Sequence, residues 1–187
     1  GGGIKYVGDL EWDGRSNQLV AGVDAEYQED DRQRYANIAG ARGAQGFDQL
    51  ETVRSVGPFI RNEFRPIERL AVIAGARYDN LRFEAADRFL GDGNDSGART
   101  LDQLSYAGGL VLEARTNLQF YANISTSFQT PTTTELANPT GGGGFNPALN
   151  PQTALNYEIG ARSRLSRRLK VELALFLIEI DDELIPF

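Results

Sequence analysis

The chain has 187 residues, a formal net charge of −7, and neither cysteine nor histidine. That composition excludes a disulfide framework, thiolate metal sites and Ser-His-Asp chemistry within the chain. The acidic balance argues against nucleic acid as a partner, because phosphate contact needs surplus positive charge. No stretch approaches the roughly 18 apolar residues of a membrane helix. The opening Gly1-Gly2-Gly3-Ile4 has neither the charged start nor the apolar core of a signal peptide, so an exported protein would carry its signal upstream.

Alternating apolar and polar residues predict eight strands, at 4–12, 17–28, 53–65, 69–83, 104–115, 117–128, 154–165 and 168–181. The clearest is the sixth. Leu118, Phe120, Ala122, Ile124, Thr126 and Phe128 share one parity, and Gln119, Tyr121, Asn123, Ser125 and Ser127 share the other. Leu70-Ala71-Val72-Ile73-Ala74 also tolerates a helix, but Arg77-Tyr78-Asp79 continues the alternation.

The connections alternate in length. Asp13-Gly14-Arg15-Ser16, Pro66-Ile67-Glu68, Thr116 and Ser166-Arg167 are short, whereas 29–52, 84–103 and 129–153 read as long loops. Short turns on one edge and long loops on the other fit a transmembrane β-barrel. The strand lengths suit the ~9–11 residues of a bilayer crossing. The expected fold class is therefore all-β: an antiparallel up-and-down meander of about eight long strands, part of a transmembrane β-barrel.

Within the strands, charge falls on one face and aliphatics on the other. Val72, Ala74, Ala76 and Tyr78 oppose Ile73, Gly75, Arg77 and Asp79. Val171, Leu173, Leu175 and Leu177 oppose Lys170, Glu172, Ala174 and Phe176. A lipid-out, water-in arrangement would place Arg77, Asp79, Glu113, Glu158 and Arg162 in the lumen. Trp12, Tyr27, Phe64, Phe83 and Phe128, near strand ends, are candidates for interfacial girdles. An ordinary sheet with a core face and a solvent face is the alternative. With the short turns at the periplasm, strand one would run toward it and both chain ends would lie on the long-loop side. That topology is expected of a segment of a larger barrel rather than of a complete eight-stranded one.

Tyr121-Ala122-Asn123-Ile124-Ser125-Thr126-Ser127-Phe128-Gln129-Thr130-Pro131-Thr132, followed by Glu135-Leu136, resembles TonB-dependent outer-membrane receptors. That family carries a Phe-x-x-Pro-Thr-x-x-Glu-Leu type sequence at this point. Asn146-Pro147-Ala148-Leu149-Asn150-Pro151 is similar to its following loop, Asn156-Tyr157-Glu158-Ile159-Gly160 to its next strand, and Gly75-Ala76-Arg77-Tyr78-Asp79 to its Gly-x-Arg-Tyr-Asp strand. The resemblance spans about residues 53–182. It implies a bacterial outer-membrane receptor with a 22-stranded barrel and an N-terminal plug, surrounded by outer-membrane lipid. Such a receptor takes up scarce nutrients, such as ferric siderophores, haem, cobalamin or glycans, and is driven by TonB. The sequence shows no TonB box, plug or closing strand, so TonB would act through a plug that these residues lack. Eight strands alone should neither transport nor couple. Neither catalysis nor a cofactor is expected.

Two further features are candidate binding sites. Asp92-Gly93-Asn94-Asp95-Ser96-Gly97 opens like a calcium loop, but Gln103 stands where the bidentate glutamate belongs. Arg32, Arg34 and Tyr35, in the first long loop, would suit an anionic or aromatic small nutrient ligand, with a solvated charge cluster as the alternative. Two other whole-chain readings remain open: a complete eight-stranded outer-membrane barrel with a structural or adhesion role, and a soluble β-sandwich binding module.

Overall fold

The computed structural model describes residues 1–136, 145–146 and 148–183, with the backbone alone described at Trp12. Eight strands form a single antiparallel sheet in sequence order. They are β1 (Gly2–Trp12), β2 (Arg15–Ile38), β3 (Ala41–Ile67), β4 (Leu70–Asp87), β5 (Gly97–Arg115), β6 (Leu118–Gln129), β7 (Gln152–Arg164) and β8 (Lys170–Asp181). A one-turn helix, α1 (Thr133–Leu136), follows β6. The meander is the expected one. All described strands belong to one sheet, with β1 and β8 at its edges, so the two-sheet sandwich is not formed. Leu70–Ala74 is strand, not helix.

Local chemistry sets the turns. Asp13-Gly14 and Ala39-Gly40 both have positive φ at two consecutive residues (53° and 69°; 49° and 90°). That is the primed turn whose twist matches paired strands. Asn37 Oδ1 accepts from the Gly40 N–H at 2.8 Å and fixes the second turn.

The second turn corrects one expectation. Residues 29–52 are not a loop. β2 and β3 continue as a paired ribbon to Ile38↔Ala41, with register shifts near Tyr35. Arg32, Arg34 and Tyr35 therefore stand on a strand, on a rigid ribbon rather than a free loop. The stretch 84–103 is likewise mostly strand, with only residues 88–96 between β4 and β5.

Register shows that each face is continuous across the sheet. Leu10, Asn17, Phe64, Val72, Leu110, Ala122, Ile159 and Leu175 form one cross-strand row through all eight strands. Asp9, Gln18, Glu63, Ile73, Gly109, Asn123, Glu158 and Phe176 form the adjacent row on the opposite face. On the first face, 19–27 of β2, 56–64 of β3, 70–78 of β4, 104–112 of β5, 118–128 of β6, 153–163 of β7 and 171–177 of β8 contain no Asp, Glu, Lys or Arg. Ile4, Tyr6, Gly8 and Leu10 continue this band on β1. Large side chains such as Ile60, Leu110, Ile159 and Leu173 lie exposed on it. A water-soluble sheet would bury such a band.

The buried apolar side chains lie on the charged face or on the turn folded against it. Phe83, Leu101 and Leu136 form a small core, with Val53, Leu81, Phe145 and Leu149 packed against it. Phe83 was expected at a girdle but points to the charged face and is buried there. Tyr27, Phe64 and Phe128 lie on the uncharged face as expected. Trp12's side chain lies outside the described residues.

Candidate functional site: the charged face and its mouth

Three side-chain groups organise the charged face. The first spans β2, β3 and β4. Arg77 donates from Nε to Asp79 at 2.8 Å and from Nη1 to Asp24 at 2.7 Å, so it crosses the whole width of β3. Gly57 makes room for it: a Cβ built there would lie 2.1 Å from Arg77 Nη2. Next to Gly57, Pro58 lacks an N–H, and the register to β4 has no partner for either residue. Asp79 is buried.

The second group spans β6, β7 and β8. Tyr121 lies over Gly160, where a Cβ would meet its Cζ at 2.4 Å. Its single hydroxyl proton is donated to Glu158 at 2.8 Å, and Glu172 lies 3.3 Å from the same oxygen. Asn123 donates to Glu158 at 3.2 Å, and Arg162 donates to Glu172 at 2.8 Å. The Arg162 guanidinium sits 4.5 Å from the Tyr121 ring centre. Both groups use one device. A long side chain crosses a glycine on the middle strand and ties three strands together.

The third group lies at the long-connection end, where the residues after β6 fold onto the charged face. Thr132 caps α1 reciprocally. Its N–H donates to Glu135 Oε2 at 2.8 Å, and the Glu135 N–H donates to Thr132 Oγ1 at 3.3 Å. This is the capping box that a Thr-x-x-Glu spacing favours. Pro131 and Leu136 are fully buried. Thr133 donates to Glu51, and Arg32 donates from Nη1 to Glu51 at 2.5 Å and to Thr134 at 2.8 Å. Gln49 completes the grip on Glu51 at 3.1 Å. The Asn146 N–H donates to the Leu136 carbonyl at 2.6 Å, and Arg99 donates to the Asn146 carbonyl. The turn is therefore latched to β2, β3 and β5 by partly buried polar contacts and by Leu136.

These contacts place the remaining candidates. Thr130 is half-buried at the approach to α1, and Phe128 pairs with Thr153 on the uncharged face. Tyr157 stands on the uncharged face between Ile124 and Leu177. Asn156 donates to the Ser125 carbonyl and to Ser127, each at 3.3 Å. Glu113 accepts from Gln119 at 3.4 Å on the charged face. Pro147 and Gly141 to Gly144 lie outside the described residues.

Arg32, Arg34 and Tyr35 divide by role. Arg32 is held in the latch. Arg34 is exposed, stacked 4.3 Å above the Phe47 ring centre, with no carboxylate partner among the described residues. Tyr35 donates to Gln33 at 2.8 Å and lies under Arg42.

In the 88–96 connection, Asp87 accepts the Phe89 and Asp95 N–H groups, one on each oxygen, and Asn94 accepts from the Ser96 N–H. No group of three metal-ligating side chains assembles among the described residues. Beyond the uncharged band, the Arg82 hydrogen bond holds the Glu84 carboxyl below its ordinary range.

Asp24, Gly57 and Glu51 were not singled out from sequence, and Tyr121 and Glu172 were placed only by strand parity, with no role assigned. Only Gly57-Pro58, a turn-like pair inside a strand, carried a local signal.

The chain matches, over residues 1–187, the family described as TonB dependent receptor-like, beta-barrel. Among solved structures it superposes on the ferric citrate transporter FecA in its unliganded form, with a TM-score of 0.80 at 16% identity, over 95% of this chain and 26% of that one. The copper transporter OprC gives a TM-score of 0.74 at 17% identity, over 97% and 30%. The alcaligin outer membrane receptor FauA from Bordetella pertussis gives 0.71 at 20% identity, over 98% and 30%. The chain thus spans about a quarter to a third of the length of these proteins.

Proposed function

Because the chain belongs to the TonB-dependent receptor β-barrel family, we propose that residues 1–187 form eight strands of a bacterial outer-membrane receptor for active uptake of a scarce nutrient, such as a ferric siderophore. The observation that carries this reading is the band without charge that runs across all eight strands, opposed by Asp24, Arg77, Glu158, Arg162 and Glu172 on the other face. A charged side chain facing lipid costs up to ~2–4 kcal/mol at the bilayer midplane. The band is therefore the lipid surface, and the opposite face is the lumen wall.

The long connections then lie outside and the short turns at the periplasm. The plug of the same receptor would pack against the lumen wall and pass the pull of TonB to it. Cargo would meet the outer mouth first. There Arg34 on Phe47 and the neighbouring Tyr35 are the ligand candidates, with Arg32 positioning the latch beside them. FecA, OprC and FauA are named for different cargoes, so the shared fold does not select among them.

The test uses the full-length protein in its own cell. It should fractionate with the outer membrane, migrate faster unheated than heated on a denaturing gel, and support uptake only when TonB is present. Recovery in a soluble or inner-membrane fraction, or uptake independent of TonB, would overturn the reading.

A further inference from the structure

Arg164 and Lys170 stand directly opposite each other where β7 and β8 meet their turn. Like charges directly opposite on neighbouring strands destabilise a sheet, and the turn adds two more cations, Arg167 and Arg168, at its tip. No Asp or Glu lies between Ser163 and Val171. Glu172, two residues along β8 on the same face, is taken by Arg162. The turn itself is well fixed. Ser166 Oγ accepts the Arg168 N–H at 3.2 Å and the Leu169 N–H at 3.1 Å. The Leu165 N–H donates to the Leu169 carbonyl at 3.0 Å. The hairpin thus holds its cations on an ordered frame.

The other short turns repeat the pattern. Taken with the strand residue on either side, the four short turns carry seven basic residues and two acidic ones, in a chain whose net charge is −7. Arg15, Arg69 and Arg115 give one cation to each of the first three turns. All seven basic residues are exposed, and none forms an ion pair among the described residues. The β5–β6 turn is tied to the fourth. The Arg164 N–H donates to the Asn117 carbonyl at 2.9 Å, and Asn117 Nδ2 donates to the Arg164 carbonyl at 3.3 Å. Beside them opens a cleft of about 440 Å³, whose lining includes Thr116, Asn117, Arg164 and Lys170.

We propose that the short-turn edge docks on the carboxylate-bearing peptides of the cell wall, the peptidoglycan layer beneath the outer membrane. A guanidinium grips a carboxylate through two parallel N–H···O bonds. The turns recur every second strand, about 9–10 Å apart. A layer with repeated carboxylates meets all four together, whereas a single small anion meets one. The Arg164–Lys170 pair lies on the charged face, away from the charge-free band, so a lipid phosphate is not placed to neutralise it. A wall carboxylate in the cleft would turn the repulsion of that pair into attraction. The inference rests on the reading that puts the short turns at the periplasm.

The experiment mixes the full-length protein in detergent with purified peptidoglycan sacculi and measures the protein that sediments with them. Fast unheated gel migration first confirms that every variant folds. Wild type should sediment, and less so as salt rises, because exposed charges are screened. Arg69→Gln, Arg167→Gln and Arg168→Gln together should weaken retention about tenfold, an effect spread over three exposed ion pairs that are each weak. Arg54→Gln, Arg82→Gln and Arg88→Gln make the same charge change at the long-connection end and should leave retention unchanged; an equal loss there overturns the site in favour of net charge. Sacculi with amidated carboxylates should retain no protein. Equal retention by wild type and the turn variant, or undiminished retention on amidated sacculi, overturns the proposal. Retention on phosphatidylglycerol vesicles but not on sacculi would reassign the edge to lipid. Absence of wild type from the outer-membrane fraction would instead sink the receptor reading itself.

Discussion

Arg77 reaches Asp24 only because Gly57 has no side chain. The guanidinium passes over β3 at the point where a Cβ would stand 2.1 Å from Nη2 and 2.5 Å from Asp79 Oδ1. Gly57→Ala should therefore dislodge Arg77 from Asp24. A hydrogen bond to a charged group contributes about 1.5–3 kcal/mol when shielded. Arg77 and Asp24 are 37% and 48% exposed, so about 1 kcal/mol is expected after solvent screening. Denaturant unfolding of the full-length protein in detergent, with Asp24→Asn as the second arm of a double-mutant cycle, would read this. Additive effects of the two substitutions would show that the crossing contributes nothing.

Gly160 should be less forgiving. A Cβ there meets the Tyr121 ring at 2.4 Å and also the Leu173 backbone carbonyl at 2.6 Å, and the backbone of a paired strand cannot swing aside. Gly160→Ala is expected to lower stability more than Gly57→Ala, by about 1–3 kcal/mol as overpacking typically does. Tyr121→Phe keeps the ring over Gly160 and removes only the bond to Glu158 and the contact with Glu172, at a cost of about 1 kcal/mol. The reverse ranking in thermal unfolding would mean that the hydroxyl, not the close approach, holds these three strands.

The same two glycines mark where sequence reading ran out. The strands were legible because the segments within the charge-free band have one uncharged parity, and the placement of Arg77, Asp79, Glu158 and Arg162 on the opposite face followed from parity alone. Their partners were not legible, because Asp24 lies 53 residues from Arg77 and only register brings them together. The ribbon at 29–52 was missed for a different reason. Beyond the charge-free band both of its faces carry polar and charged residues, so the alternation has no contrast to display. Phe83 was misplaced because a strand-end aromatic looks the same at a lipid girdle and under a folded loop. Here Leu136 decides, by packing on it.

Leu136 and Glu51 should fasten the mouth by different means. Leu136 is fully buried, and its truncation to alanine removes packing worth about 2–5 kcal/mol. Glu51→Gln keeps the shape but removes the charge that Arg32 grips. Hydrogen exchange in the full-length protein should show faster amide exchange across 132–136 in both variants, more so in Leu136→Ala, with β6 and β7 unaffected. Exchange unchanged in both would mean that the turn is held from elsewhere.

The assignment of faces admits the sharpest test, on two adjacent residues of one strand. Leu173 pairs with Ala161 on the uncharged face, and Ala174 pairs with Gly160 on the same face as Glu172. An arginine at Leu173 would meet hydrocarbon, at up to ~2–4 kcal/mol, whereas an arginine at Ala174 would stand in a wet, acid-bearing lumen. Gly160 cannot serve as the inward comparison, since any side chain there collides with Tyr121 whatever the solvent. Leu173→Arg in the full-length protein should therefore reduce the fast-migrating folded band and the outer-membrane yield, and Ala174→Arg should leave both near wild type. Ile159→Arg, in the row beside Leu175, should follow Leu173→Arg. If Ala174→Arg proved as damaging as Leu173→Arg, the two faces would share one solvent. The band without charge would then be an interface with protein rather than lipid.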